Sequence, residues 1–199
     1  MITDFSITNF KALQMKKPIL FQPRLNVLIG VNGSGKTSLL QAIDFICNLV
    51  QQDGVSNLLK RRNWSLPDIP TRLSHPRSSV FHFSAGFENP QTGLFHWTAR
   101  MKLGKQTCRC TEETFYMGTD EHSIIASLLY RRALYYDNKQ GKWHMMDMRE
   151  IAYSGSFLSV WRPARLTPIW ETITTCSSLD LLSPHLMRSH VKKAPWIGR

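Results

Sequence analysis

A glycine-rich segment at residues 30–37 constrains the fold of this chain more than any other feature of the sequence. It reads Gly-Val-Asn-Gly-Ser-Gly-Lys-Thr and fits the pattern G-x-x-x-x-G-K-[ST]. Glycines admit backbone with positive φ and let main-chain N–H groups come close to an anion. Lys36 adds a cation and Thr37 a hydroxyl at the two offsets where a phosphate and its metal ion need them. The segment therefore predicts a phosphate-binding loop.

Such a loop binds a nucleoside triphosphate mainly through its backbone. Gly30, Gly33 and Gly35 are expected to take positive φ, so that the N–H groups of residues 33–37 surround the β-phosphate. The helix that follows adds unpaired N–H groups and the positive end of its dipole. Lys36 is assigned to the β- and γ-phosphates, Thr37 to Mg²⁺ and Ser38 to the α-phosphate. The predicted nucleotide-binding residues are Gly30, Asn32, Gly33, Ser34, Gly35, Lys36, Thr37 and Ser38.

The segments around the loop fit a strand, a loop and a helix in succession. Leu25–Ile29 is a short apolar run that predicts a buried strand. Residues 37–52 predict a helix that is apolar on most sides, with Gly54 as its stop. Alternating apolar residues predict earlier strands at residues 1–10 and 19–21.

The rest of the chain reads as an antiparallel region followed by helical residues. Residues 56–79 are expected to form an irregular, basic connection. The elements predicted after it are strands at Val80–Phe87, Leu94–Leu103 and Thr107–Tyr116, a short helix at Glu121–Tyr130, a hairpin at Leu134–Met145 and a helix from Thr167 to Thr175.

Length and composition describe an ordinary globular chain. It has 199 residues, of which 42% are hydrophobic and 20% charged, so we expect a single core and not a disordered chain. No apolar run is long enough for a membrane helix, and the N-terminus lacks the basic segment of a signal peptide. We therefore expect a cytoplasmic protein. The four cysteines are too scattered for a disulfide framework or a zinc site and are expected to be packing residues.

The chain is strongly basic, with a formal net charge of +11. One interpretation is a surface for the phosphates of nucleic acid, and the other is a solvated loop or a protein whose acidic half lies elsewhere. The basic residues concentrate in two groups: Lys60, Arg61, Arg62, Arg72, His75 and Arg77, and then Arg188, Lys192, Lys193 and Arg199.

The order of these segments resembles the amino-terminal lobe of the ABC-type ATPase heads. The residues that carry the resemblance are Ile7–Lys11, Leu25–Ile29, the loop and Ser38–Ile43. Within that group the chain is similar to RecF/SMC proteins and to the related "AAA family" ATPases of the OLD-like kind. The resemblance implies an α/β P-loop NTPase of the ABC/RecF/SMC head type, with an added antiparallel β subdomain and with ATP and Mg²⁺ as cofactors.

It also implies one incomplete ATPase domain made of four parts. These parts are residues 1–55 with the strands, the loop and the helix, 56–79 as the basic connection, 80–150 as the β-rich part and 151–199 as the helical part.

Two further motifs of that family have no convincing counterpart here. A carboxylate pair should follow four apolar residues, but before Asp120 and Glu121 stand Gly118 and Thr119, which break a buried strand. These two acids are weak catalytic candidates. Asp147 lacks a following glutamate, and Ser154-Gly155-Ser156 is a poor match to the serine-glycine signature. Because phosphoryl transfer needs groups on both sides of the γ-phosphate, nucleotide binding can persist where hydrolysis does not.

Three functions remain open at this point. The first is the ATP-binding amino-terminal portion of a RecF/SMC-like ATPase that acts in DNA metabolism or defence. The second is a nucleotide-binding or regulatory fragment without hydrolysis of its own. The third is an unrelated GTPase or kinase, but Asn138–Gly141 ends in glycine where a guanine site needs aspartate. The expected partners are a nucleotide, DNA, and either a carboxy-terminal ATPase half or a second copy in a head-to-head homodimer, and no membrane.

Overall fold

An antiparallel sheet of nine strands dominates the computed structural model, which describes residues 1–71, 78–120 and 122–176. The order across the sheet is β2-β1-β4-β5-β6-β7-β8-β9, and β3 pairs with β1 on the same side as β2. The strands are β1 (Ile2–Phe10), β2 (Leu13–Gln14), β3 (Ile19–Leu20), β4 (Val80–Asn89), β5 (Gly93–Leu103), β6 (Cys108–Met117), β7 (Ile124–Leu129), β8 (Arg132–Asp137) and β9 (Lys142–Asp147).

Helices cover one face of this sheet. They are α1 (Lys36–Asn48), α2 (Gly54–Arg62) and α3 (Thr167–Cys176), with short 3-10 turns at Leu66–Asp68, Phe157–Ser159 and Ala164–Leu166. Eight of the thirteen residues of α1 are buried, in keeping with its predicted apolar circumference. Rings of Phe10, Phe45 and Phe81 meet at centroid distances of 5.6–6.0 Å and join α1 to β1 and β4. The mixed α/β class with a large antiparallel sheet is the class predicted from the sequence.

Asn9 explains the sharp turn at the end of β1. Its backbone is left-handed, with φ of 59°, a conformation that asparagine tolerates better than most residues. Its side-chain amide donates to the carbonyls of Ser78 and Val80, and its side-chain oxygen accepts from the N–H of Thr71. Asn9 thus ties the end of β1 to neighbouring loops by hydrogen bonds, and the next residue, Phe10, packs in the aromatic cluster.

The strand predicted at Leu25–Ile29 is wrong in this structure. The segment has no regular secondary structure, and Leu25, Val27 and Ile29 are 74%, 68% and 90% exposed. A strand of this kind needs a neighbour on which to pair, and β1 already pairs with β2, β3 and β4. Leu28 alone among these apolar residues packs against the core.

Three other local predictions are also wrong. Residues 124–129 form the strand β7 and not a helix, because register pairing with β6 outweighs the apolar helical spacing. Gly54 does not stop the first helix; α1 ends at Asn48, and Gly54 begins α2 after Asp53, which has φ of 56°. The connection at 56–79 is therefore partly helical.

Two of the basic residues on α2 are held by a buried acid. Asp44 on α1 is only 4% exposed, and its carboxylate accepts from Arg62 at 2.8 Å and from Arg61 at 3.3 Å. Arg62 is itself 12% exposed, so this pair joins α1 to α2. Arg72, His75 and Arg77 lie outside the described residues, as does the basic group after residue 176.

A junction at Gly155 attaches the end of α1 to strand β6. The N–H of Gly155 donates to the carbonyl of Cys108 at 2.6 Å, and its own carbonyl accepts from Cys110 at 3.0 Å. The next N–H, from Ser156, donates to the carbonyl of Leu49 at 2.9 Å. Gly155 has φ of 89°, and a Cβ there would lie 2.3 Å from the Leu49 oxygen. Only glycine fits this contact without movement of the backbone.

Glu113 is the buried acid beside that junction. Its carboxylate accepts from the indole N–H of Trp97 at 2.9 Å, from the N–H of Phe157 at 3.1 Å and from the hydroxyl of Ser156. Burial raises the pKa of Glu113 to about 7, and the donated hydrogen bonds offset only part of that shift. Glu113 therefore attaches the turn at 157–159 to the sheet. Its ionised form lowers the free energy of unfolding, because the charge is buried.

Among the described helices, none combines the length and the apolar character that crossing a bilayer requires.

We predict that Gly155→Ala destabilises the fold by about 3 kcal/mol or more, because left-handed strain adds to the collision with Leu49. Gly141→Ala is the matched control, since Gly141 also has positive φ but open space around its Cβ position. It is expected to cost about 1 kcal/mol. Urea unfolding measures both, and equal losses would refute the steric role of Gly155.

The raised pKa of Glu113 predicts a stability that falls as pH rises. The folded state holds the proton with a pKa of about 7 against an ordinary value of 4.5, so the contribution is complete below pH 4.5 and is lost by about pH 7. The loss is on the order of 3 kcal/mol. Glu113→Gln removes this slope from the free energy of unfolding, whereas Glu112→Gln, at an exposed neighbour, leaves it. Parallel pH profiles of wild type and Glu113→Gln would contradict the assignment.

Candidate functional site: the glycine-rich loop

The loop at residues 30–38 leads directly into the first turn of α1. Gly33 and Gly35 have φ of 83° and 89°, as expected, and Gly35 is the N-cap of the helix. Gly30 does not have positive φ, so that part of the expectation is wrong. A Cβ at position 30 would lie 2.8 Å from the hydroxyl oxygen of Ser34, so a larger residue there would require this side chain to move.

The backbone N–H groups at the start of α1 are available to a ligand. Leu39 donates to the carbonyl of Gly35 at 2.8 Å, but within the described residues nothing accepts from the N–H groups of Lys36, Thr37 and Ser38. No side chain caps the helix, and no acid lies in its first turn. These donors and the helix dipole together make a site that favours an anion.

Lys36 lies across the loop. Its ammonium donates to the carbonyls of Gly30 at 2.7 Å and Val31 at 2.8 Å, and lies 3.4 Å from the hydroxyl oxygen of Ser34. The cation is therefore held at the concave side of the loop by two neutral acceptors. Phosphate oxygens are stronger acceptors for an ammonium group than peptide carbonyls are, because they carry negative charge.

The sheet supports the loop through a residue that the sequence did not single out. Leu13 on β2 packs beside Gly35, where a Cβ would lie 3.2 Å from its methyl carbon. Lys11 donates to Gln41 of α1 at 2.9 Å and lies over the ring of Trp64 at 3.2 Å. Burial, and next the charge of Arg62, lower the pKa of Lys11 to about 8. In the sequence, only the Asn9-Phe10-Lys11 segment indicated that residues near β1 contact α1.

The residues predicted to bind the nucleotide fall into two groups by exposure. Thr37, Asn32 and Gly33 are exposed, and Ser38 and Lys36 are half-buried. The structure thus brings together the backbone donors, one cation and one exposed hydroxyl. These groups fit a polyphosphate, and Thr37 offers a hard oxygen ligand suitable for Mg²⁺.

Of the two weak catalytic candidates, only Asp120 lies within the described residues. Asp120 lies in the turn after β6, where its carboxylate accepts from the N–H of His122 at 2.9 Å and from the hydroxyl of Ser123 at 3.0 Å. The first of these bonds is the main cause of its lowered pKa. Glu121 lies outside the described residues. Asp147 pairs with Arg149, and Ser154–Ser156 forms the structural junction at the end of α1.

No group of three or more histidine, cysteine or acidic side chains suited to a metal ion occurs among the described residues. Cys47, Cys108 and Cys110 are buried, and burial raises the pKa of each thiol. They are therefore inert packing groups at neutral pH.

Part of the chain is similar to known proteins. Residues 1–89 match the AAA ATPase domain family. No curated protein matches the sequence. A solved structure from work on ATP-driven dimerization and DNA-stimulated activation of SMC ATPases is 19% identical, with a TM-score of 0.43. That similarity covers 58% of this chain and 68% of the SMC chain. Residues 1–89 are therefore similar to the AAA ATPase domain family, and the predicted resemblance of the amino-terminal part to an AAA-family P-loop ATPase is confirmed.

Proposed function

We propose that residues 30–38 bind Mg·ATP and that the chain is the nucleotide-binding, amino-terminal portion of a RecF/SMC-like ATPase. The observation that carries this proposal is the set of unpaired N–H groups on Lys36, Thr37 and Ser38 at the head of α1. They lie beside a lysine already held on the inner side of the same loop. The match of residues 1–89 to the AAA ATPase domain supports the same assignment.

Each loop residue has a role in this proposal. The ammonium of Lys36 exchanges the carbonyls of Gly30 and Val31 for oxygens of the β- and γ-phosphates. The N–H groups at the start of α1 donate to the β-phosphate, and Ser38 donates to the α-phosphate. Thr37 supplies one oxygen ligand to Mg²⁺, and waters and phosphate oxygens supply the rest.

We infer that hydrolysis requires acidic groups beyond those that the described residues place near the loop. The described residues near the loop offer a cation and hydroxyls, but the only buried acid on α1, Asp44, is paired with Arg61 and Arg62. We infer that a carboxy-terminal ATPase half, or a second copy placed head to head, supplies the acid. The exposed apolar side chains of Leu25, Val27, Ile29 and Val31 support this, since such a stripe favours contact with another chain.

We further propose that the ATPase acts on DNA, in DNA metabolism or defence. The basic stretch near Lys60 gives this proposal little support, because Arg61 and Arg62 are engaged by Asp44. Replacing both arginines would leave a buried carboxylate without its partners and would destabilise the fold. A DNA contact is better sought on cations that have no acidic partner.

A second candidate function is a nucleotide-binding or regulatory unit without hydrolysis. Its specific support is that two candidate acids already have partners. Asp120 accepts hydrogen bonds within a turn, and Asp147 forms a surface ion pair.

We predict that Lys36→Ala lowers the affinity for Mg·ATP about 100-fold or more, because it removes a charged donor from the β- and γ-phosphates. Titration calorimetry on the full chain measures the change. Lys17→Ala removes the same charge at an exposed turn and serves as the control, with affinity unchanged. Equal affinity of Lys36→Ala and wild type would end the assignment of the loop.

The same preparations separate the two candidate functions. We expect no phosphate release above background from the chain alone, although it binds Mg·ATP. Release at about 1 s⁻¹ or faster that Lys36→Ala abolishes would show that the chain carries its own catalytic acid. Asp120→Asn would then be the first variant to test.

A further inference from the structure

A cavity of about 400 Å³ lies on the sheet, away from the glycine-rich loop. It is bounded by the end of β5, the start of β6 and the turn between β7 and β8. The lining residues that matter are Lys102, Arg109, Thr111, Leu129, Tyr130 and Arg131. A volume of this size accommodates one nucleotide unit or a ligand of similar size.

The cavity concentrates positive charge without neutralising it. Lys102 and Arg109 are direct partners across β5 and β6, an arrangement in which like charges repel. Within the described residues, no carboxylate forms an ion pair with Lys102, Arg109 or Arg131. Glu112 also lines the cavity, but it pairs with Arg100 at 3.4 Å. An anion placed between the two strands would relieve the repulsion.

The two guanidinium groups are held in position before any ligand arrives. Arg109 lies 5.4 Å from the ring centroid of Tyr153, and its buried Nε has no hydrogen-bond partner in the described part of the chain. Arg131 donates through one nitrogen to the carbonyls of Met148 and Arg149, at 3.2 and 2.8 Å. Fixed cations lose little side-chain entropy when they bind a phosphate.

The turn that borders the cavity is strained. Leu129 pairs with Arg132, so Tyr130 and Arg131 form a two-residue hairpin loop, with φ of 49° and 63°. Such a turn favours asparagine and glycine, and bulky side chains there are unfavourable. The result is that an aromatic ring, 85% exposed, stands at the rim of the cationic cavity.

We propose that this cavity binds one nucleotide unit of single-stranded nucleic acid. The phosphodiester lies on Lys102, Arg109 and Arg131, and the adjoining base stacks on Tyr130. An exposed ring can stack only on an unpaired base, which favours a single strand over a duplex. The proposal rests on the nucleic-acid part of the proposed function and is independent of the loop at residues 30–38.

Fluorescence anisotropy with labelled dT15 and U15 strands tests the proposal on the full chain. We expect binding of the single strands in preference to a 15-base-pair duplex. Tyr130→Asn is expected to weaken single-strand binding about tenfold, while Tyr130→Phe retains it because the ring remains. Since asparagine tolerates the left-handed turn, Tyr130→Asn should keep or raise the melting temperature, which separates lost binding from lost folding.

A salt series tests the cations. For single strands each phosphate contact contributes about −0.7 to the slope of log K against log [salt], so Arg109→Gln should make the slope about 0.7 less steep. Lys142→Gln removes the same charge on β9, outside the cavity lining, and should not change the slope. Equal effects of these two variants, or an unchanged affinity in Tyr130→Asn, would overturn the proposal.

The remaining outcomes are also decisive. If free dTMP displaces the labelled strand completely when its concentration equals that of the strand, the cavity is a mononucleotide site and the nucleic-acid assignment is overturned. Equal binding of the duplex would overturn it as well. Lys36→Ala should bind dT15 as wild type does. If wild type fails to bind Mg·ATP, or if Lys36→Ala binds it as well as wild type, while Tyr130-dependent strand binding is retained, the loop assignment is contradicted and this one stands.

Discussion

The junction between the end of α1 and strand β6 holds the molecule together. The Leu49 carbonyl, at the end of α1, accepts from Ser156, while Gly155 bridges Cys108 and Cys110 on β6. Glu113, three residues after Cys110 on the same strand, fastens the turn that follows Ser156. Because α1 begins at Lys36, this contact fixes the far end of the helix whose first turn carries the candidate phosphate site. The position of the loop therefore depends on a glycine that is remote in sequence.

The segment before the loop is where the local sequence and the observed fold disagree. Leu25, Val27 and Ile29 alternate as strand residues do, yet their side chains face solvent. A strand needs hydrogen-bond partners, and the edge of β1 beside this segment is already occupied by β2 and β3. The conflict is resolved if another polypeptide segment supplies both the partner strand and the acid that hydrolysis needs. Contact at this exposed apolar stripe would then both pair the unpaired segment and bring a catalytic acid to the loop.

The sequence predicted those features that short-range rules control. The motif located the turn at Gly33–Gly35 and the start of α1, and alternation located β4, β5 and β6 within two residues of their observed bounds. It was wrong at β7, where pairing with β6 decided the structure, and at Gly30, which does not have the expected positive φ. The cationic cavity could not be predicted, because Lys102 and Arg109 become partners only through the register of two strands.

The two proposed anion-binding surfaces are joined by a continuous set of contacts. Arg109 lies between Cys108 and Cys110, which bond to Gly155, and Gly155 packs on Leu49 at the end of the helix that begins at the loop. A continuous path is not by itself allostery, because coupling requires an element with two arrangements that both ligands bias. Every contact in this path is backbone to backbone and tightly packed. The path therefore relates the positions of the two sites but does not by itself couple them.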